Sequence, residues 1–232
     1  MSTILITGAG AGLGECLAEA LLMAGHVIIP FDRKEGLDVR NPEGSWAQAR
    51  RKPEDPPAVD VLINCAGINK TGWLENLGES TWDEVMDINA KGIYRMTQWL
   101  LPSLAVRKGT VLNIVSNASH MPMTCSLAYN ASKGAAHIMT LQLARELTKK
   151  YGITVFGISP NKLRGTEMSR DIEEQVVRDR GWTPEYARNY QLNSLLAGEE
   201  TDPFQLADFV RYLLQSKAHH KFLTGCIIPY GA

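Results

Sequence analysis

This chain of 232 residues predicts an α/β fold, a doubly wound parallel sheet with helices on both faces. Three observations lead there. Short β-rich runs alternate with helical ones along the chain, the order that lays a parallel sheet beneath helices on either side. A glycine-rich turn, Thr7-Gly-Ala-Gly-Ala-Gly-Leu-Gly14, joins the first β-rich run to the first helical one. The length suits one domain, and a 44% hydrophobic content is enough to fill its core.

Thr3–Thr7 reads as the first strand, followed by the glycines and a helix through about Ala24. His26–Phe31, Val59–Asn64, Thr110–Ser116, Ile153–Ile158 and Gly225–Pro229 carry the further strand patterns. Helical patterns occupy Thr81–Val106, Ser126–Tyr151, Met168–Leu195 and Pro203–Gln215. One place breaks the alternation. Asp32 and Asp38 each look like a strand end, yet only five residues separate them. A parallel crossover normally needs about a dozen. The chain is therefore expected to be shortened between its second and third strands, with a helix missing and a short or irregular strand near Leu37–Val39. Residues 50–58, rich in proline and charge, read as an exposed loop.

A net charge of −1 provides no field for nucleic acid or an anionic membrane, so neither is expected as a partner. No apolar run is long enough to span a bilayer or act as a signal peptide. Cys16, Cys65, Cys125 and Cys226 are dispersed, without a CxxC pair. They read as reduced thiols of a cytoplasmic protein, neither disulfides nor metal ligands.

Glycines in the Thr7–Gly14 turn let the backbone bend tightly and approach a ligand. The helix that follows points free N–H groups and the positive end of its dipole at a pyrophosphate. The spacing Gly8-x-x-x-Gly12-x-Gly14 differs from GxGxxG, and Glu15 stands where a P-loop has lysine. Asp32 lies eighteen residues after Gly14, at the end of the second strand. A carboxylate there accepts hydrogen bonds from an adenosine ribose and repels a 2′-phosphate, which favours NAD over NADP. Arg33 and Lys34 partly offset that repulsion.

The Tyr129-Asn-Ala-Ser-Lys133 pentad carries the chemistry, with Ser116 thirteen residues upstream of Tyr129. Phenol releases its proton only near pH ~10. A lysine four residues on shares the tyrosine's helix face, and its charge favours the phenolate. A serine hydroxyl can hold the oxygen that exchanges this proton while a hydride moves elsewhere.

Taken together these segments resemble the short-chain dehydrogenase/reductase family over nearly the whole chain, which implies a Rossmann-like sheet. Thr7–Gly14 is similar to its TGxxxGxG loop, and Asn64-Cys-Ala-Gly67 to its NNAG segment with cysteine in second place. Asp87-Ile-Asn-Ala resembles its catalytic-asparagine segment, twenty-seven residues before Ser116. The resemblance implies a catalytic tetrad of Asn89, Ser116, Tyr129 and Lys133. Lys133 would also bind the nicotinamide ribose, and Asn89 would hold a water linking Lys133 to solvent. The same resemblance assigns dinucleotide contacts to Gly8, Gly12, Leu13, Gly14, Asp32, Arg33, Asp38, Val39, Asn64, Ala66, Gly67, Tyr129, Lys133, Pro160, Leu163 and Thr166. It further implies a homodimer or homotetramer paired through the Trp82–Arg107 and Ser126–Lys150 helices. Ser159-Pro-Asn-Lys-Leu-Arg-Gly-Thr166 departs from the usual PGxxxT.

Residues 162–197 occupy the position of a substrate lid, with Met168, Trp182, Tyr186 and Tyr190 as pocket or packing residues. Trp73, Asn117, His120 and Met123 lie on loops near the same cleft, and Arg164, Arg170, Arg178 and Arg180 hint at an acidic substrate. The expected function is an NAD(P)-dependent oxidoreductase acting on a small alcohol or carbonyl. The alternative is a dinucleotide-sensing or scaffold protein on the same fold, against which the intact tetrad argues.

Overall fold

A computed structural model of the chain describes residues 1–50 and 56–231. Strands β1 (Thr3–Thr7), β2 (Val27–Phe31), β3 (Val61–Asn64), β4 (Thr110–Ile114), β5 (Thr154–Pro160) and β6 (Ile227–Tyr230) pair in the order β2-β1-β3-β4-β5-β6. Every neighbouring pair is parallel. Helices α1 (Gly12–Met23), α2 (Pro42–Arg50), α3 (Glu79–Met86), α4 (Gly92–Arg107), α5 (Leu127–Tyr151), α6 (Glu167–Arg180), α7 (Pro184–Asn193) and α8 (Pro203–Leu214) connect or cover them.

The inner strands are apolar at consecutive positions because both faces of the sheet are covered. Ile4, Ile6, Ile63, Leu112 and Phe156 face α1 and α8, against Leu17, Leu21, Leu206 and Val210. The alternate residues Leu5, Leu62, Val111 and Val155 face α4 and α5, against Met96, Leu100, Leu104 and Leu147. The two edge strands each carry a proline, Pro30 in β2 and Pro229 in β6. Proline removes a ladder donor and is tolerated at an edge.

The chain reverses its winding between β1 and β3, which are neighbours in the sheet although β2 lies between them in sequence. A crevice opens at the carboxyl ends of strands at such a point. Gly8, Asp32, Cys65 and Ser116 all follow closely on strands that end at this edge.

Three expectations are corrected. No strand forms at Leu37–Val39, and the crossover helix lies after Asp38 instead of being missing. The nine residues of α2 follow an Asn41 side chain that accepts the Gly44 N–H, with Pro42 in the first helical position. Trp46 anchors α2 by packing edge-on to Trp99 of α4, 5.8 Å between ring centroids. The expected single helix Thr81–Val106 is divided by a π-helical turn at Asp87–Lys91. The expected helix Met168–Leu195 is broken at Gly181, whose φ of 66° ends α6. The proline-rich loop expected at 50–58 falls mainly on residues 51–55, outside the described ones.

The departure at Asn161 has a structural purpose. Its Oδ1 accepts from the backbone N–H and the hydroxyl of Thr201 at 3.1 and 2.5 Å, and its Nδ2 donates to the Gly231 carbonyl. One buried amide thus ties the end of β5 to the lid's return and to the chain end after β6. Asn161→Ala strands these groups without partners and is expected to cost about 1–3 kcal/mol. The urea midpoint should fall with the m-value unchanged; an unshifted midpoint would show that water replaces the amide.

Candidate active site

The glycine turn is shaped by close approaches. Gly8 has φ 70°, and a Cβ there would lie 2.8 Å from Ala66 Cα. A Cβ on Gly14 would lie 2.0 Å from the Gly8 carbonyl oxygen. Neither position admits a side chain without displacing backbone. Thr7 holds the facing segment: its Oγ1 accepts the N–H groups of Cys65 and Ala66, both at 3.0 Å. The N-cap of α1 is Ala11, which brings no side-chain acceptor to the first-turn N–H groups. Those open donors and the crowded glycine backbone fit a dinucleotide's pyrophosphate. Leu13 is buried in the core, so only its backbone serves this turn.

At the adenosine end, Asp32 accepts from Gly10 N–H at 3.1 Å and from Lys34 N–H at 2.9 Å. Lys34 Nζ donates to the Gly10 carbonyl at 2.5 Å. Arg33 is exposed in the turn between them. Asp38 is engaged by Arg40, 2.6 Å from Nη2, and this pairing holds its carboxyl below the usual range. Val39 is buried against Gly92, where a Cβ would come within 3.1 Å of Val39 Cγ2.

Asn64 turns inward. Its Nδ2 donates to Asn113 Oδ1 at 2.8 Å, and Asn113 donates in turn to Thr140 Oγ1 at 2.9 Å. This chain stitches β3 and β4 to α5, so Asn64 braces the strands beneath the crevice. Gly67 lies where a Cβ would come within 3.4 Å of Asn89 Oδ1 and 3.8 Å of Lys133 Nζ.

Asn89 sits in the π-helical turn between α3 and α4, a device that often re-aims a functional side chain. Its Oδ1 accepts Ile68 N–H and its Nδ2 donates to Ile68 O, both at 2.8 Å. Nδ2 also donates to Ser132 Oγ at 3.0 Å. Both amide protons are committed, so the expected water link rests on no free N–H of Asn89. What the side chain visibly does is hold the Gly67–Ile68 backbone beside Lys133.

Ser116 follows β4 and caps a short turn, its Oγ accepting Ala118 N–H at 3.2 Å. It is near enough to the Tyr129 phenol to favour its ionised form. Tyr129 occupies the first turn of α5, and Lys133 follows one turn later with its ammonium 5.8 Å from the Tyr129 ring centroid. Lys133 is 6% exposed and donates to the Ile114 carbonyl at 3.1 Å. Burial pulls its pKa down to about 8. Burial also lifts the Tyr129 phenol above its ordinary value, and the neighbouring Ser116 hydroxyl opposes this without overcoming it. The expectation that Lys133 draws the phenol toward neutrality is thus not met in this structure; desolvation wins. Cys65, beside Lys133, is pushed up to about 12 by burial and is a poor thiolate.

Thr166 caps α6 by accepting Ser169 N–H at 3.1 Å, and its methyl lies 3.6 Å from where a Gly12 Cβ would stand. The lid therefore begins over the glycine turn. Pro160 ends β5, and Leu163 forms a bridge with Thr201 behind it. The lid is fastened over the cleft at Thr71, whose N–H reaches Gln175 Oε1 at 2.8 Å and whose hydroxyl reaches Asp179 at 2.5 Å. Trp73 Nε1 adds a bond to Asp179 O at 2.7 Å. Lys162 pins the base of the lid against Glu173, Gln191 and Glu200. Trp182, Tyr186 and Tyr190 pack on one another, their centroids 4.9 to 6.3 Å apart. His120 and Met123 are exposed. A cavity of about 420 Å³ between Lys70–Thr71, Thr81 and α6 lies on the lid's flank, and no tetrad residue lines it.

Thr7, Gly10, Ser132 and Asn113 are the working residues that sequence reasoning passed over. Thr7 and Ser132 stood inside the motifs, marked only by a hydroxyl beside the residues that were read.

Lys133 gives the stability of the fold a pH dependence. Below about pH 8 it is charged folded and unfolded, and its burial opposes folding in full. Above that value the folded state loses the proton first, so stability rises with pH. Cys65 flattens the trend above about pH 9, because its raised pKa keeps a proton the unfolded thiol releases and offsets the one Lys133 loses. Between pH 8 and 9 the protein should gain about 1 kcal/mol in urea unfolding, and Lys133→Met should lack this gain. An equal gain in the variant would refute the assignment.

Comparison with known proteins agrees with this geometry. Residues 36–177 match the model of the short chain dehydrogenase family. A 3-oxoacyl-acyl-carrier-protein reductase of Vibrio cholerae is 26% identical, the alignment covering 95% of this chain and 92% of that protein. The 2,3-dihydro-2,3-dihydroxybenzoate dehydrogenase of Escherichia coli is also 26% identical, over 99% and 96%. The crystal structure of an actinorhodin polyketide ketoreductase with NADPH superposes with a TM-score of 0.81 at 25% identity, covering 98% and 94%. With a family match across the catalytic segments and a shared sheet order around them, the chain belongs to the short chain dehydrogenase family.

Proposed function

We propose that this oxidoreductase transfers a hydride between a nicotinamide dinucleotide and a small alcohol or carbonyl, with Tyr129 as general acid in reduction and base in oxidation. The observation that carries the reading is the burial of Lys133 one helical turn after Tyr129, with its ammonium on the Ile114 carbonyl at the end of the strand that leads to Ser116 and facing Gly67. Ser116 holds the substrate oxygen, fixed by the Ala118 N–H it accepts. Tyr129 passes the proton to or from that oxygen. Lys133 would bind the nicotinamide ribose, and its ammonium, 5.8 Å from the Tyr129 ring centroid, places positive charge near the phenolate when it forms. Asn89 keeps Gly67–Ile68 in place beside Lys133. The dinucleotide, when bound, supplies or accepts the hydride; the chain supplies alignment and the proton path.

NAD is the preferred form in this reading. Asp32 retains acceptor capacity for ribose hydroxyls after its bonds to Gly10 and Lys34, and its charge opposes a 2′-phosphate. Lys34, the nearest cation, already donates to Gly10 O. The named relatives support small alcohols and ketones as the substrate class. The chain works as one domain with a lid at 162–197, in the cytoplasm, as a homodimer or homotetramer. Exposed Tyr94 and Val106 on α4 and Ile138 on α5 support pairing through those helices. No described helix is long and apolar enough to cross a membrane.

Titration with NADH and NADPH, followed by nicotinamide fluorescence, should show tighter binding of NADH. Tyr129→Phe should keep that binding while lowering carbonyl-dependent oxidation of NADH by about 10²–10⁴-fold. Hydride transfer that survives in Tyr129→Phe would sink the mechanism. Binding of neither dinucleotide would sink the catalytic reading altogether.

A further inference from the structure

The four arginines of the lid are not alike. Arg164 pairs with Asp202 at 2.6 Å and Arg178 with Asp179 at 2.8 Å. Arg170 is exposed and donates to Gly165 O on its own helix entrance. Arg180, the last residue of α6, has no carboxylate partner among the described residues. Its Nη2 donates to the Thr124 carbonyl at 2.7 Å, and its Nε is buried without a hydrogen bond. The guanidinium lies over the Trp182 ring, 4.8 Å from the centroid, which fixes its plane.

Its location matters as much as its state. Thr124 belongs to the loop that runs from Ser116 to Tyr129. The next residue, Cys125, is held at φ 62°, and its carbonyl accepts Gly72 N–H at 2.7 Å. The end of α6, the Thr71–Trp73 loop and the loop that leads into Tyr129 therefore meet at one point. A neutral donor would be enough to tie α6 to Thr124. An arginine there brings a charge and further N–H groups into partly desolvated surroundings, a costly arrangement unless an anion completes it. The nearby Asp179 does not complete it, being taken by Arg178 and Thr71. A planar fork held over an aromatic ring is suited to the two oxygens of a carboxylate.

We infer that Arg180 binds a carboxylate of the substrate, so that the cleft selects carbonyl or hydroxy acids over their neutral counterparts. The inference rests on the reading of Ser116 and Tyr129 as the hydride-transfer site and adds the class of molecule that this site takes. Arg180 is a specificity residue, while Ser116 and Tyr129 carry the chemistry.

The test uses matched pairs: acetoacetate against methyl acetoacetate, and 4-formylbenzoate against its methyl ester. Turnover with NADH is measured for each, together with binding to the protein–NADH complex by nicotinamide fluorescence. The acid of at least one pair should be preferred, and Arg180→Met should lower the acid-to-ester ratio of kcat/KM, or of affinity where turnover is slow, by about 30-fold or more. Arg180→Lys should recover part of that ratio. A purely structural role would weaken acid and ester alike and leave the ratio unmoved, which would overturn the inference. So would acids that neither bind nor react while NADH binding is intact. Failure of the underlying reading looks different: dinucleotide binding is lost, or hydride transfer proceeds without Tyr129.

Discussion

The site depends first on a contact between two strand ends. β1 and β3 are neighbours in the sheet, and beyond it their loops remain locked by Thr7, whose hydroxyl accepts two successive N–H groups at Cys65 and Ala66. Gly8 then passes Ala66 so closely that no Cβ fits. This apposition fixes both walls of the crevice: the glycine turn on one side and the Cys65–Ile68 segment on the other. Asn89 bonds to that second wall, and Lys133 stands against Gly67. A shift at Thr7 would therefore be felt at Lys133 as well as at the glycine turn.

Much of this was legible from local pattern. The strand positions followed from apolar runs of four to seven residues, and β1 matched its expected bounds at Thr3–Thr7. The tetrad was visible because spacing in sequence becomes adjacency through simple rules: Tyr129 and Lys133 share a helix face, and Ser116 follows a neighbouring strand. What stayed hidden was decided by tertiary contacts. α2 has a polar sequence and is anchored by Trp46 meeting Trp99, more than fifty residues away in the chain. An N-cap asparagine followed by proline marked its start, but the crowding of two aspartates suggested a strand instead. The π-helical turn around Asn89 left no local mark, since the same residues suit an unbroken helix. Asn64 looked like a ligand residue, and its true partner, Asn113, lies on another strand.

The segment 162–197, proposed above as a lid, has two kinds of attachment. At its base, Lys162 is a nearly buried cation shared among Glu173, Gln191 and Glu200, which belong to three separate segments. Breaking that cluster would expose or strand several charges, so the base is the stiff end. At its tip, α6 is held by single hydrogen bonds from Thr71, Trp73 and Arg180 to partly exposed acceptors. The neutral Trp73 bond is worth about 1 kcal/mol, and those involving the Asp179 carboxylate and the Arg180 guanidinium about 1.5–3 kcal/mol.

Lys133 shows why the fold tolerates a group that works against its own stability. A neutral residue in its place would pack without the desolvation that lowers its pKa to about 8. The same burial holds the Tyr129 phenol protonated, the form the proposed reduction needs, and keeps Cys65 from becoming a thiolate. Removing water from the three groups disfavours the charged form of each, so it moves the lysine pKa down and those of the phenol and thiol up. When phenolate forms during proton transfer, the ammonium finds a counter-charge in a poorly solvated setting, and the attraction is greater there than it would be in water. In the proposed mechanism, the energy withheld from the resting fold would become available only as the proton leaves Tyr129, the state a catalyst needs to favour.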